Sequence, residues 1–320
     1  MSAYLPLALI EQAQERAQQA QLVHGPFLRE TPLWRLPGSA LGVDCAKVWL
    51  KLEHLQVSGS FKGRGMLNRL LAQPVPPAGV VIASGGNAGI AVAAAAQYLG
   101  VRCEVFLPEV SSPAKRERLR SLGAQVVVQG AAYADAFAAC LLRQAQSGAL
   151  LAHAYDQPEV IAGAGTLALE IQAQAGGTPD AVLVSVGGGG LIGGIASAWG
   201  DRVNVVALEP QAAPTLWSAR QAGQPVDVAV GGIAADSLGA RRVGDGAWAI
   251  TQARVREAVL LSDEAIIAAQ RFLWREFRLA VEPAAALGLA ALQSGAWRPQ
   301  THERVALILC GGNVDPATLV

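Results

Sequence analysis

Lys51-Leu-Glu-His-Leu-Gln-Val-Ser-Gly-Ser-Phe-Lys62-Gly-Arg-Gly65 joins a strand pattern to a helix pattern and sets a lysine at the junction. The β-rich run Lys47 to Leu52 enters a turn at Ser58-Gly59-Ser60, and the spacing then predicts a helix with Lys62 in its first turn. A helix start exposes unpaired N–H groups and the positive end of the dipole, so a cation there is disfavoured. A lysine whose amine is consumed in an imine with a carbonyl cofactor escapes that penalty, and the burial that depresses its pKa also makes it nucleophilic. A solvated lysine at a helix start is the plain alternative, and this stretch alone does not separate the two.

Outward from this junction, short β-rich runs alternate with Ala-rich helical stretches. Val80–Ala83 precedes Ala88–Leu99, Glu104–Leu107 precedes Pro113–Leu122, and Gln125–Val128 precedes Tyr133–Gln146. The theme resumes with Ala181–Val186 before Leu191–Trp199 and Val203–Leu208 before Pro214–Ala222. This is the βαβ pattern of an α/β fold with doubly wound parallel sheets. Val226 to Ile250 shows no clear period and reads as a loop-rich segment bordering a site. Regular pattern returns at Val259–Leu261, in a helix opened by Ser262 and running to about Phe277, in a helix after Pro283 and in a last strand, Arg304–Leu309. The element pattern pauses near Arg64–Ala72 and near Gly148–Asp156, where the chain is expected to cross between two lobes.

Composition narrows the function. With Lys+Arg and Asp+Glu both 25, the formal net charge is zero, so no basic field exists to hold nucleic acid or an anionic membrane. The most apolar window, Val80 to Val101, carries Ser84-Gly-Gly-Asn87 in its middle and is not a membrane span. Cys45, Cys103, Cys140 and Cys310 are scattered without metal-ligand spacing and read as reduced thiols. No apolar leader precedes the polar helical run Glu11 to Gln21, so a cytoplasmic protein with a small-molecule partner is expected.

Three glycine-rich turns each follow a strand. Ser84-Gly-Gly-Asn-Ala-Gly89 opens a helix, and its free N–H groups with the Ser84 hydroxyl suit a carboxylate. Ser185-Val-Gly-Gly-Gly-Gly-Leu191 carries four consecutive glycines, more than a turn requires, and points several N–H groups at one spot as a phosphate site would. Its spacing differs from the dinucleotide fingerprint, although Glu209 lies at a distance that keeps that reading open. Cys310-Gly-Gly-Asn313 ends the last strand. Ligands in open α/β sheets sit beyond the carboxyl ends of strands, so all three turns can face one crevice.

Ser60-Phe-Lys-Gly-Arg-Gly65, Ser84-Gly-Gly-Asn-Ala-Gly89, Gly187-Gly-Gly-Gly-Leu191 and Cys310-Gly-Gly-Asn313 occur in the order found in the pyridoxal-phosphate serine/threonine dehydratases. The chain resembles that family, relatives of the tryptophan synthase β subunit, along almost its whole length, including Thr31-Pro-Leu33, Gly163-Ala-Gly-Thr166, Glu209-Pro210 and Glu282-Pro283. The resemblance implies a fold-type II enzyme with a large cofactor-binding domain (1–66 and 154–320), a small domain (67–153) and the site in the cleft between them. It implies a homodimer that binds pyridoxal 5'-phosphate and an amino-acid substrate, eliminating water from L-threonine or L-serine to give a 2-oxo acid and ammonia. Lys62 matches the lysine bound to the cofactor, Phe61 the residue packed on its ring, and Asn87 the partner of the ring hydroxyl. Gly187, Gly188, Gly189, Gly190 and Leu191 match the phosphate cup, and Cys310 the residue facing the ring nitrogen. Ser84, Gly85, Gly86 and Ala88 match the loop holding the substrate carboxylate.

Two departures qualify the match. Racemases and many relatives read Ser-Ser-Gly-Asn-His where this chain has Gly85 and Ala88, so the acid/base serine of a racemase is missing. After Glu209-Pro210 the carboxylate that completes a divalent-metal site in some relatives is absent, which leaves Glu209 a weak metal candidate. Hydroxyaspartate is an alternative substrate, with Arg64, Arg241 and Arg242 as candidate partners of its second carboxylate. A cysteine-synthase-like lyase, a racemase and a non-catalytic binder of the cofactor or of a phosphate ligand would carry the same lysine and glycine turns.

Overall fold

The computed structural model describes residues 5–319. In chain order they form α1 (Leu7–His24), β1 (Leu33–Leu36), β2 (Lys47–Lys51), α2 (Lys62–Leu71), β3 (Val80–Ala83), α3 (Asn87–Leu99), β4 (Cys103–Leu107), α4 (Pro113–Ser121), β5 (Gln125–Val128), α5 (Tyr133–Ser147) and β6 (Leu150–Leu151). The second half adds α6 (Pro158–Ala175), β7 (Ala181–Ser185), α7 (Gly190–Trp199), β8 (Asn204–Pro210), α8 (Thr215–Ala222), α9 (Asp245–Arg254), β9 (Glu257–Leu261), α10 (Asp263–Phe277), α11 (Pro283–Gln293) and β10 (Arg304–Ile308).

The strands make two sheets, one of six in the order β1-β2-β10-β7-β8-β9 and one of four in the order β5-β4-β3-β6. Helices cover both sheets, and β3, β4 and β7 are buried along their whole length, as strands sealed on both faces must be. Every pairing is parallel except β1 with β2. Those two strands are joined through a short 3-10 turn at Gly38–Leu41 with no helical crossover, and a parallel return needs one. The fold is thus the expected pair of parallel α/β lobes, with one antiparallel edge strand added. All four cysteines are free and buried. Among the described residues no helix is long and apolar enough to cross a membrane.

The irregular reading of Val226 to Ile250 needs correction, because α9 begins inside it at Asp245. Its first turn lacks a local cap: the carboxylate of Asp156 accepts from the N–H groups of Asp245 (2.9 Å) and Gly246 (3.0 Å), a partner no sequence window around Asp245 contains. Helix α6 escapes pattern reading for a different reason. It is buried on all sides over Val160 to Ala168, so it shows no alternation of apolar and polar faces.

Backbone contact between helices explains the glycines of α2, α6 and α7. A Cβ on Gly194 would lie 2.5 Å from both the Gly165 nitrogen and the Ile161 carbonyl oxygen, and one on Gly163 would lie 2.5 Å from the Arg64 carbonyl oxygen. These close approaches fix α2, and with it Lys62, against α6, and α6 against α7. Gly194→Ala is expected to destabilise the protein by about 1–3 kcal/mol in equilibrium denaturation, because backbone must shift to admit the methyl group. Gly177→Ala, whose Cβ would meet nothing within 4 Å, is the matched control and should leave the transition in place.

Candidate active site

Lys62 is the first residue of α2, directly after a backbone bridge that pairs Ser60 with Gly311 and brings the Phe61 N–H to the Cys310 carbonyl (3.0 Å). The first and third motifs therefore meet at the lysine. Its ammonium donates to the Ala154 carbonyl oxygen (2.6 Å) and stands 5.1 Å from the centre of the Phe61 ring. No carboxylate pairs with it among the described residues. Part of the residue is open to the cleft, yet protein crowds the amine itself, and that loss of water lowers its pKa from 10.5 to about 8.

Helix α7 begins on the four-glycine turn. Gly189 takes a left-handed φ of 91°, and a Cβ there would come within 2.6 Å of the Ala247 side chain. A Cβ on Gly188 would strike the Tyr155 ring at 2.2 Å. Among the described residues no acceptor meets the N–H groups of Gly187, Gly188 or Gly189. The carbonyl side of the turn is held: the Thr215 hydroxyl donates to the Gly187 oxygen (2.7 Å), and the Gly244 N–H to the Gly188 oxygen (3.0 Å). The turn is thus a rigid cup of free donors beside the segment His153–Tyr155 whose Ala154 carbonyl holds Lys62.

In the turn after β3, a Cβ on Gly89 would lie 1.8 Å from the Ser84 carbonyl oxygen, so only glycine closes it. The N–H groups of Gly85, Gly86 and Asn87 meet no acceptor among the described residues. The Asn87 side chain binds inside the protein: its Nδ2 donates to both oxygens of Glu282 (2.9 Å each), and its Oδ1 accepts from Asn313 Nδ2 (2.6 Å). Glu282 also accepts from the Asn313 N–H (3.0 Å). Sequence reasoning assigns Glu282 no site role beyond its motif, and it is the acid that ties the first and third glycine turns together. An acidic residue just before the helix-opening Pro283 was the available signal. Burial pushes the Glu282 carboxyl up, and burial joined by the charge of Glu282 pushes the Cys310 thiol up to about 12, so Cys310 is a neutral thiol at physiological pH.

Two other candidates are committed elsewhere. Arg64 turns away from the cleft and is spent on buried carboxylates, Nε and Nη2 on Glu53 (2.8 and 2.7 Å) and Nη2 on Glu170 (2.8 Å). That removes it as a partner for a second substrate carboxylate. Glu209 caps α8, accepting from the N–H groups of Leu216 and Trp217 (2.7 Å each) and from the Thr215 hydroxyl (2.9 Å). Burial lifts its pKa to about 7 in spite of these bonds. Among the described residues no group of three His, Cys, Asp or Glu side chains is placed to hold a metal.

Two parallel α/β lobes with a desolvated lysine beside a cup of unpaired N–H groups are the frame of an enzyme that binds a phosphorylated carbonyl cofactor. The chain belongs to the pyridoxal-phosphate dependent enzymes: the family model of that description matches residues 25–311. It is 36% identical to a protein named L-threonine ammonia-lyase from Geobacter sulfurreducens, over 98% of this chain and 77% of the relative. It is 34% identical to a phenylserine dehydratase of Ralstonia pickettii, over 92% and 89%. The crystal structure of a T.th. threonine deaminase superposes with a TM-score of 0.85 at 36% identity, covering 94% of this chain and 98% of that one.

Because the neutral amine is the nucleophile, loss of the Lys62 proton raises its reactivity. Capture of pyridoxal 5'-phosphate by cofactor-free protein, followed by the visible absorbance of the bound cofactor, is expected to accelerate with pH and level off above about 8. A rate still climbing toward 10.5 would show a solvated amine.

Proposed function

We propose that the protein is a pyridoxal 5'-phosphate-dependent L-threonine/L-serine dehydratase, an ammonia-lyase that eliminates water from a hydroxyamino acid to give a 2-oxo acid and ammonia. The observation that carries this reading is the Lys62 amine, desolvated and without a carboxylate, beside the four-glycine cup. The glycine cup of Gly187 to Leu191 is assigned to the cofactor phosphate, Phe61 to the face of the ring, Asn87 to its hydroxyl and Cys310 to its nitrogen. Ser84, Gly85, Gly86 and Ala88 are assigned to the substrate carboxylate, for which the unpaired N–H groups of that turn are suited.

Bound pyridoxal 5'-phosphate supplies an electron sink for Cα of the amino acid. Lys62 holds the cofactor at rest and, once displaced by the substrate amine, is the base that takes the α-proton. A pKa lowered from 10.5 to about 8 leaves a larger share of the amine neutral near physiological pH than an exposed lysine would have. Loss of the β-hydroxyl as water leaves an unsaturated amine, whose hydrolysis gives the 2-oxo acid and ammonia. Gly85 offers no proton donor on the far face of Cα, which favours elimination over racemisation. We place the protein in the cytoplasm, consistent with four free thiols, and as a homodimer on the family resemblance alone. Sedimentation tests the latter.

Purified protein given L-threonine or L-serine, with no thiol added, is expected to release ammonia and a 2-oxo acid in equal amounts. Lys62→Ala should lower that rate by about 10²–10⁴-fold or more. Full turnover by Lys62→Ala would overturn the mechanism, and a need for an added nucleophile would point to a β-replacement lyase.

A further inference from the structure

Helix α4 repeats the oddity of α2: Lys115 stands in its first turn, where the helix dipole disfavours a cation. No acidic side chain of that turn offsets it. The carboxylate that does comes from 121 positions along the chain, Asp236, whose Oδ1 accepts from Lys115 Nζ. The two ends of this ion pair belong to different lobes. Helix α4 packs on β5 and α3 at the edge of the four-stranded sheet, whereas Asp236 lies in the segment between α8 and α9. That segment is pinned to the six-stranded lobe on both sides of Asp236. The Gly231 N–H donates to the Ala212 carbonyl oxygen (2.9 Å), the Ile233 N–H to the Asp263 carboxylate (3.2 Å) and the Gly244 N–H to the Gly188 oxygen (3.0 Å). Leu238 packs so close to the cup that its Cα would be 3.2 Å from a Cβ on Gly187.

The turn after β3 lies between the two ends. A Cβ on Gly86 would find the Asp236 carbonyl oxygen 3.7 Å away, and one on Gly85 would meet the Leu107 side chain (2.9 Å) and Ser111 Oγ (3.8 Å), which belong to β4 and to the loop leading into α4. A loop of one lobe and the lead-in of α4 therefore border the same two glycines, and the Lys115–Asp236 bond ties those borders together. The N–H groups of Gly85, Gly86 and Asn87, which meet no acceptor among the described residues, belong to the turn so enclosed. The residue after Asp236 reaches the same site, since the Ser237 hydroxyl donates to Glu282, the acid that holds Asn87. Burial pushes the Glu282 carboxyl up and the charge of Asp236 adds to it, so the Asp236 carboxylate is felt inside the cleft.

We propose that the Lys115–Asp236 pair is a clasp between the lobes: it holds the loop 233–238 against the Gly85-Gly86 turn, opens to admit the amino acid and closes to keep its carboxylate in place. Lys115 and Asp236 are thus positioning residues for the substrate. This rests on the assignment of that turn to the substrate carboxylate, and it adds to the dehydratase reading what retains a bound amino acid. The two side chains are 38% and 68% exposed, so the pair is weak enough to break at each turnover. An ion pair of this exposure shifts an equilibrium by about two- to fivefold.

The test is the rate at which L-alanine leaves the holoenzyme, followed through the absorbance of the bound cofactor after rapid dilution. L-Alanine carries the backbone groups of the substrate and no β-hydroxyl to eliminate. Lys115→Ala and Asp236→Ala are each expected to speed its release by about two- to fivefold, and the double variant to be no faster than the singles. Asp236→Lys should speed release further, and adding Lys115→Asp to it should slow release again. Charges that act on the substrate carboxylate directly, with no clasp, would move the single variants in opposite directions: Lys115→Ala would hasten release, while Asp236→Ala and Asp236→Lys would slow it. That result would overturn the proposal. So would release unchanged in both alanine variants with only the denaturation midpoint lowered, which would mark a pair that serves stability alone. Formation of 2-oxo acid from L-threonine or L-serine is scored separately. The expected pattern of L-alanine release without 2-oxo acid would uphold the clasp and sink the dehydratase reading, and turnover with release untouched by the variants would do the reverse.

Discussion

The fork of hydrogen bonds from Arg64 to Glu53 and Glu170 anchors the start of α2, and the behaviour of the neighbouring lysine depends on it. Residues two apart on a helix point about 200° away from each other, so Arg64 and Lys62 leave α2 on opposite sides. On the Arg64 side the charges are collected: Glu170 also accepts from Lys51 Nζ (2.5 Å), and Glu53 from the Thr31 hydroxyl (2.5 Å). Burial alone would raise the Glu53 pKa, but Arg64 outweighs it and holds Glu53 below the usual carboxylate range. Buried ions of this kind stabilise only when each is fully matched, and removing one partner would strand the rest. The match costs the lysine side nothing, because it draws the nearby carboxylates away from Lys62. A lone carboxylate beside that amine would have raised its pKa instead of letting burial lower it.

The three glycine turns become one site through contacts that run between them. The bridge from Ser60 to Gly311 and the amide pair Asn87–Asn313 join the lysine, the first turn and the third, while Ala154 and Tyr155 join the lysine to the cup. Glycine serves two purposes here. At Gly89 and Gly188 it is a packing requirement, since a Cβ would strike protein atoms, whereas the consequence at the cup is a row of N–H groups without protein acceptors. An N–H row left unpaired inside a protein is destabilising unless something binds it, which is the physical reason a run of four glycines reads as a ligand site.

Much of this was legible because it is local. The strand-to-helix junctions at Lys62, Asn87 and Gly190 each combine a β-rich run, a glycine turn and a helix start within one window, and the helices begin within a residue of where those windows put them, although α2 runs on through Arg64–Leu71, where the pattern is expected to pause. What escaped is non-local or lacks contrast. Helix α6 is buried on every side and so carries no amphipathic signal, and α9 is capped by Asp156 from the far side of α6. The stretch between Ser237 and α9 shows no period because its partners are Tyr155 and the cup, not its own neighbours. Glu282 belongs to the same class: it is an ordinary residue whose meaning arises only when Asn87 and Asn313 from separate loops are brought to it.

The division of protons in the site bears on which reaction it can support. Cys310, held neutral with its pKa near 12, is too weak an acid to protonate a pyridine nitrogen, so on the proposed assignment the ring would stay neutral and accept less negative charge from Cα. A reaction that leaves charge resident at Cα, as racemisation and transamination do, suffers most from a weak sink. β-Elimination suffers least, because the electrons from the α-proton's bond depart with the hydroxyl. Glu282 strengthens this bias from outside the ring, since its charge raises the Cys310 thiol while its oxygens hold Asn87 in place. Glu282 thus adds to the effect of burial on Cys310 and holds the geometry of the first turn, and on the proposed assignment both the weak ring-nitrogen partner and the missing serine at Gly85 favour elimination.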